Sequence, residues 1–258
     1  MEWYLYPILI AAGIVAGFIN TVAGSGSLIT LPLLMFIGLP ANIANATNRV
    51  GILLQSAVGS AGFRQKDVFR FREGLWLALP ATAGSLIGAI AAVKINTRAM
   101  EIIIGILLFF MFFIVLYKPE KWITEKERVI DTRPKFWQLA IFFLIGLYGG
   151  FIQVGVGFLL LAGLVFGTGV NITKANALKV LIVFVYTIAA VMVFIFSKQI
   201  NYPLALTLAA GSMIGAWLAT RFALKHGPAI VRIVLLVTVF ASAFYYTGLA
   251  RLLINLMR

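Results

Sequence analysis

Eight long apolar runs, near 5–22, 43–62, 74–93, 99–117, 136–154, 173–196, 203–220 and 229–248, constrain this chain more than any other feature. Each approaches the roughly 20 residues that a helix needs to cross a bilayer core. A globule of 258 residues in water has no means of hiding so many such stretches, because its outside must face solvent. In lipid the outside is free to be apolar. Composition agrees: 62% of residues are hydrophobic and 11% charged, where soluble domains have about half and about a quarter. The expectation is an all-α integral membrane protein.

Two shorter apolar pieces, near 25–37 and 156–168, lie outside this set, and each follows a glycine-rich break: Ala23-Gly24-Ser25-Gly26 and Gly155-Val156-Gly157. Helices of about 13 residues reach roughly 20 Å, too short for a comfortable crossing. They read as half-helices or arms of re-entrant hairpins. With them, ten segments are counted.

The 21 Lys and Arg against eight acidic residues give a net charge of +13. The basic residues cluster in short polar breaks, with Arg64, Lys66, Arg70 and Arg72 in one, Lys118 to Lys135 in the longest, and Arg221 and Lys225 in a third. The positive-inside rule puts all three in the cytoplasm and both termini outside, although Arg251 and Arg258 fit the outward end less well. No basic face or reading motif accompanies the charge, so nucleic acid is not an expected partner. The chain contains no cysteine, which removes disulfides and thiolate chemistry. Met1-Glu2-Trp3-Tyr4 lacks the basic start of a cleavable signal, so the first run is expected to stay as a helix of a multi-pass protein of the cytoplasmic membrane.

An internal repeat sets the architecture. Gly17-Phe18-Ile19-Asn20 matches Gly150-Phe151-Ile152-Gln153. After a two-residue gap, Gly24, Gly26, Leu28, Leu33, Gly38 and Ala44-Asn45-Ala46 match Gly155, Gly157, Leu159, Leu164, Gly169 and Ala175-Asn176-Ala177. Gly84-Ser85-Leu86-Ile87-Gly88-Ala89 then matches Gly211-Ser212-Met213-Ile214-Gly215-Ala216. Five segments per repeat, an odd number, require the halves to enter the membrane in opposite orientations. The expected plan is a first membrane repeat over 1–117, a cytoplasmic linker over 118–135 and a second repeat over 136–258. Inverted repeats around broken helices are a common plan of secondary transporters, with the substrate site between the halves.

The breaks supply the candidate site. A helix interrupted at membrane depth offers backbone N–H groups and the positive end of its dipole to an anion. Asn20, Thr21, Gly24, Ser25, Gly26 and Ser27 provide this in the first half, and Gln153, Gly155 and Gly157 in the second. The alternative is plain helix packing, since small residues in membrane helices allow close contact. A second cluster holds Asn45, Asn48 and Arg49, with counterparts Asn176 and Lys179. Polar groups at lipid depth are costly and usually face a cavity or a partner. Snorkelling to the headgroups is the alternative, favoured for Lys174, whereas Arg49 and Lys179 lie deeper in their runs. These groups are cationic or neutral; Glu101 is the one acid read as lying within a span, and pairing with Arg98 at the interface accounts for it. Such a set suits an anion rather than a cation.

Other chemistries find no support. There is no Walker A motif, His226 stands alone in a charged loop, and Gly24-Ser25-Gly26 has no general base to make a nucleophile of its serine. Neither enzyme activity nor a cofactor nor a metal is expected.

The stretch from Gly13 to Gly51, containing GFINTVAGSGSLITLPLLMFIGLP and ANATNRVG, together with GFIQVGVG and KANALKV in the second half, resembles the sulfite exporter TauE/SafE family of membrane permeases. The likeness spans essentially the whole chain. It implies transport of sulfite, thiosulfate, sulfonates such as sulfoacetate, or related small organic anions. The family's motif residues carry over to Asn20, Gly24, Gly26, Thr30, Pro32, Asn45, Thr47, Asn48 and Arg49, while Ser25 stands where the family more often has glycine. The expected partners are a small anion, the lipid bilayer and a second copy of the chain in a homodimer. An anion channel using the same breaks as a filter is the competing expectation.

Overall fold

The structure is a computed structural model and describes residues 3–116 and 134–223, without the side chains of residues 110–116. The expected linker 118–135 lies almost entirely outside the described residues, and the run 229–248, His226 and both terminal arginines lie wholly outside them.

Among the described residues every regular element is a helix. They are α1 (Leu5–Val22), α2 (Ser27–Phe36), α3 (Ala41–Arg64), α4 (Phe71–Lys94), α5 (Thr97–Leu116), α6 (Phe136–Phe151), α7 (Val156–Thr168), α8 (Ile172–Phe196) and α9 (Tyr202–Ala223). Of these α1, α4, α8 and α9 are long and apolar enough to cross a membrane, while α2, α6 and α7 are shorter apolar helices. α3 is as long as α4 but more polar, because its first half carries Asn42, Asn45, Asn48 and Arg49. Helix starts follow local chemistry: the Asn171 and Asn201 side chains accept from Lys174 N and Leu204 N, as N-caps do.

The expected breaks are real. Gly24 and Gly155 both have positive φ, at 83° and 73°, and so do the matched pair Gly38 and Gly169, at 99° and 75°. Residues with a Cβ rarely adopt this region, so glycine at both repeat positions is what lets α1 and α6 end and the short helices begin.

Glycines also set how the halves pack. Gly84 and Gly88 of α4 lie against the backbone of Phe143 and Leu147 on α6, and Gly146 and Gly150 of α6 lie against Ala81 and Ser85. The matched residues Gly211 and Gly215 of α9 lie against Ile10 and Ile14 of α1, and Gly13 and Gly17 of α1 lie against Leu208 and Ser212. A Cβ at any of these eight positions would collide with the neighbouring backbone. Without a hydrophobic force between helices in lipid, such close approach is what holds them. Each half thus packs its first helix on the fourth helix of the other.

The contacts also fix directions. α1, α3 and α9 run together, since Gly51 lies by Leu208 and Gly62 by Thr220. α4, α6 and α8 run together, since Gly74 lies by Leu181, Ser85 Oγ donates to Tyr186 O at 3.1 Å and Gln199 Nε2 to Val93 O at 3.3 Å. α3 opposes α8: Gly59 meets Val180, and Asn201 N donates to Thr47 Oγ1 at 3.0 Å. α1 and α6, the first helices of the two halves, therefore point opposite ways. This is the pattern that an inverted repeat generates, and the structure is consistent with one.

Candidate functional site

At the centre the two breaks meet. Gly24 and Gly157 are in backbone contact, so close that neither has room for a Cβ. Beside this crossing a small pocket, with free room for about one water molecule, is lined by Asn20, Thr21, Gly24, Gln55, Ser56, Gln153, Gly157, Lys179, Val180 and Val183. α1, α3, α8 and both breaks contribute, so the pocket belongs to both halves.

Lys179 is the cation of this pocket. It is 1% exposed, and its Nζ donates to Asn20 O at 3.1 Å, Thr21 O at 3.0 Å and Asn176 Oδ1 at 2.6 Å. An ammonium has three donors and a neutral amine two, so three acceptors match the charged form. Two of the acceptors are among the last four carbonyls of α1, and Asn20 O accepts from Gly24 N, just past the helix, as well. A lysine of the second half thus closes the C-terminus of the first half's leading helix.

Arg49 does the reciprocal work. It is fully buried; Nη1 donates to Gly149 O and to Gln153 Oε1 at 2.7 Å, and Nη2 donates to Gly150 O at 2.9 Å. Its guanidinium lies 5.8 Å from the centre of the Phe194 ring. Asn45 Nδ2 adds a bond to Phe151 O at 3.0 Å. An arginine and an asparagine of the first half therefore close the C-terminus of α6. Neither buried cation has an acidic partner among the described residues; the ion pairs there are Arg98–Glu101 at 3.2 Å and Lys174–Glu73 at 3.0 Å.

Gln153 links the two arrangements. Because guanidinium only donates, its Oε1 must face Arg49, and its Nε2 then donates to the Tyr186 hydroxyl at 2.7 Å. Of the pair of hydrogens on that nitrogen, one is left for the pocket. Tyr148 Oη donates to Val154 O at 2.7 Å and steadies the second break.

Of the residues singled out in the sequence, Asn20, Thr21, Gly24, Gln153, Gly157 and Lys179 line the pocket. Asn176 stands behind Lys179, and its Nδ2 is buried with no partner among the described residues. Asn48 accepts from Thr30 Oγ1 at 2.7 Å and ties α3 to α2. Ser25 and Ser27 are buried with hydroxyls unpartnered among the described residues, and with Gly26, Asn45, Arg49 and Gly155 they are not among the lining residues. Gln55 and Ser56 are lining residues that the sequence reading passed over; two polar side chains inside the apolar run 43–62 were the available signal. Lys174, read as a snorkelling anchor, instead pairs with Glu73 across the halves, with side-chain exposures of 19% and 10%. Glu73, in the first turn of α4, is an acid within a candidate span that the sequence does not flag, whereas Glu101 pairs with the exposed Arg98 as expected.

A family model described as sulfite exporter TauE/SafE matches residues 9–246. A probable membrane transporter protein of Sinorhizobium sp. is 27% identical over 246 residues, covering 94% of this chain and 92% of that one. One of Escherichia coli K12, YfcA, is 28% identical over 250 residues, covering 94% and 90%, and one of Haemophilus influenzae is 26% identical over 228 residues, covering 88% and 89%. No solved structure matches.

Proposed function

Since the chain belongs to the sulfite exporter TauE/SafE family and is a membrane transporter, we propose that it carries a small oxyanion, of the sulfite, thiosulfate or organosulfonate class, by alternating access across the cytoplasmic membrane. The observation that carries this reading is Lys179: a buried lysine with three hydrogen-bond acceptors, in a pocket shared by both halves and with no acidic partner among the described residues. An uncompensated charge at such depth is costly, and an anion is the ligand that relieves the cost. Gln153, Gln55, Ser56 and Thr21 add hydrogen-bonding groups, and Val180 and Val183 give the pocket an apolar side.

The hydrogen-bond count suggests how binding is tied to movement. All three Lys179 donors are used, so an oxyanion reaches Nζ by replacing Asn20 O, Thr21 O or Asn176 Oδ1. A carbonyl offers the ammonium only a dipole, whereas an oxyanion offers a full opposite charge, so an oxyanion competes well against a carbonyl. Replacement of either carbonyl loosens the hold of the second half on α1, which is the kind of release that a rocking motion between halves needs.

The test is flux in proteoliposomes. Lys179→Gln keeps two donors but loses the charge. Saturable sulfite or sulfoacetate flux, stimulated by the same anion on the far side, is expected to fall at least about tenfold in this variant. Undiminished flux in Lys179→Gln would remove Lys179 from the site. Conductance on the single-channel scale would replace the carrier with a channel.

A further inference from the structure

A second cavity lies on the opposite faces of α3 and α8. α3 and α4 are joined by the short turn 65–70, yet they diverge, and α8 forms the floor between them. The resulting cleft, about 870 Å³ counted out to its open side, is lined by Ala57, Ser60, Ala61, Arg64, Gln65, Phe71, Leu181 and Phe184. Gln55 lies on the other side of α3 from Ala57, Ala61 and Arg64, and the two sets of lining residues share no member, so this cleft is distinct from the central pocket.

We propose that the cleft binds one anionic phospholipid, its headgroup at Arg64 and an acyl chain along Ala57, Ala61, Leu181 and Phe184. Ala57, Ser60, Ala61 and Arg64 follow one face of α3, so small side chains lead from membrane depth to a cation at the helix end. Leu181 and Phe184 give the floor, and Phe71 the opposite wall, an apolar surface that a free inorganic anion has no use for. Arg64 is exposed, lies 5.6 Å from the centre of the Phe71 ring and has no ion pair among the described residues. Lys66, Arg70 and Arg72 are exposed around it, Asp67 is the one acid between Arg64 and Arg72, and Glu73 is engaged by Lys174. The charge is therefore complementary to an anionic headgroup, and a zwitterionic one lacks the net charge to match it. Basic pockets between membrane helices on the cytoplasmic side, where the positive-inside rule puts this turn, are where such headgroups bind.

The test uses the purified, delipidated full-length protein in neutral detergent. Dioleoyl phosphatidylglycerol, dioleoyl phosphatidylcholine and inorganic phosphate are compared by native mass spectrometry and by thermal melting. The wild type is expected to retain phosphatidylglycerol at least about fivefold better than phosphatidylcholine and to melt higher with it. Arg64→Gln, at an exposed position, is expected to remove the preference, and Ala61→Phe to lower retention of both lipids by filling the cleft. Equal retention of the two lipids by the wild type would overturn the proposal. So would equal stabilisation by phosphate alone, which would make this a free-anion site. Retention unchanged in both variants would also overturn it and give the cleft to another part of the chain, such as residues 224–258. None of these readouts depends on flux, so they stand apart from the transport reading.

Discussion

Replacing Arg49 by alanine separates two roles that the sequence alone leaves open, a ligand for the transported anion or a clamp between the halves. The structure places its guanidinium on Gly149 O, Gly150 O and Gln153 Oε1; Arg49 is not a lining residue and meets the pocket only through Gln153. Truncation leaves three buried acceptors without that donor, each worth about 1–3 kcal/mol when unsatisfied. Removing the guanidinium also removes the cost of burying it, which offsets part of the loss. The low end of the sum, about 3 kcal/mol, is therefore the expected destabilisation. At about 2–4 °C per kcal/mol for a chain of this size, the melting temperature should fall by about 6–12 °C. Arg49→Lys should recover only part of this, because an ammonium lacks the planar fork that reaches two neighbouring carbonyls and an amide together. The assay is a thermal melt in neutral detergent, with flux measured well below both midpoints, where Arg49→Ala should retain most of its transport. A melt within about 2 °C of wild type with flux abolished would refute the clamp and make Arg49 a ligand.

Two further substitutions probe the pocket and the crossing. Gln55→Leu removes a lining amide without touching either cation, and should raise the anion concentration for half-maximal flux about tenfold, the effect of roughly 1.4 kcal/mol, with little change in melting. Gly157→Ala forces a Cβ into the Gly24 backbone, and should lower folded yield and melting temperature more than alanine at the more open Gly163, where the nearest side chain is 3.4 Å away.

The breaks were legible in the sequence because their cause is local: a backbone that must turn to positive φ within lipid calls for glycine, and it does so at matched positions in both halves. The short lengths of α2 and α7 were readable for the same reason. The glycines of the Gly-Ser-x-Ile-Gly-Ala motif were visible as a repeat, but their task was not, since close packing of α4 on α6 and of α1 on α9 joins residues far apart in sequence. The partners of Arg49 and Lys179 lie 100 or more residues away, Asn176 excepted, and a one-dimensional reading could say only that such charges need company. Hence the reading reached Lys179 but could not tell its position from that of Arg49. Ser25 and Ser27 stand out as hydroxyl donors because they flank a glycine-rich break, whereas the lining hydroxyl and amide of Ser56 and Gln55 sit inside an apolar run with no break to mark them.

The exchange of cations between halves has a consequence of unusual sign. Asn20 O accepts both from Lys179 Nζ at 3.1 Å and from Gly24 N at 2.9 Å, so the lysine helps hold the last turn of α1 against the break. Ligands ordinarily protect the backbone amides around their site from hydrogen exchange, because bound structure opens less often. Here an oxyanion that takes Lys179 from the α1 carbonyls removes a support of that turn. Exchange over residues 20–27 should rise when sulfite saturates the protein, while it falls at the pocket-facing part of α8. Lys179→Gln should show the raised exchange at 20–27 without any anion, and sulfite should change it no further. Protection of 20–27 by sulfite in the wild type would mean that the anion binds with the cap intact, taking the place of Asn176 Oδ1 alone, and the proposed link between binding and release of α1 would fall.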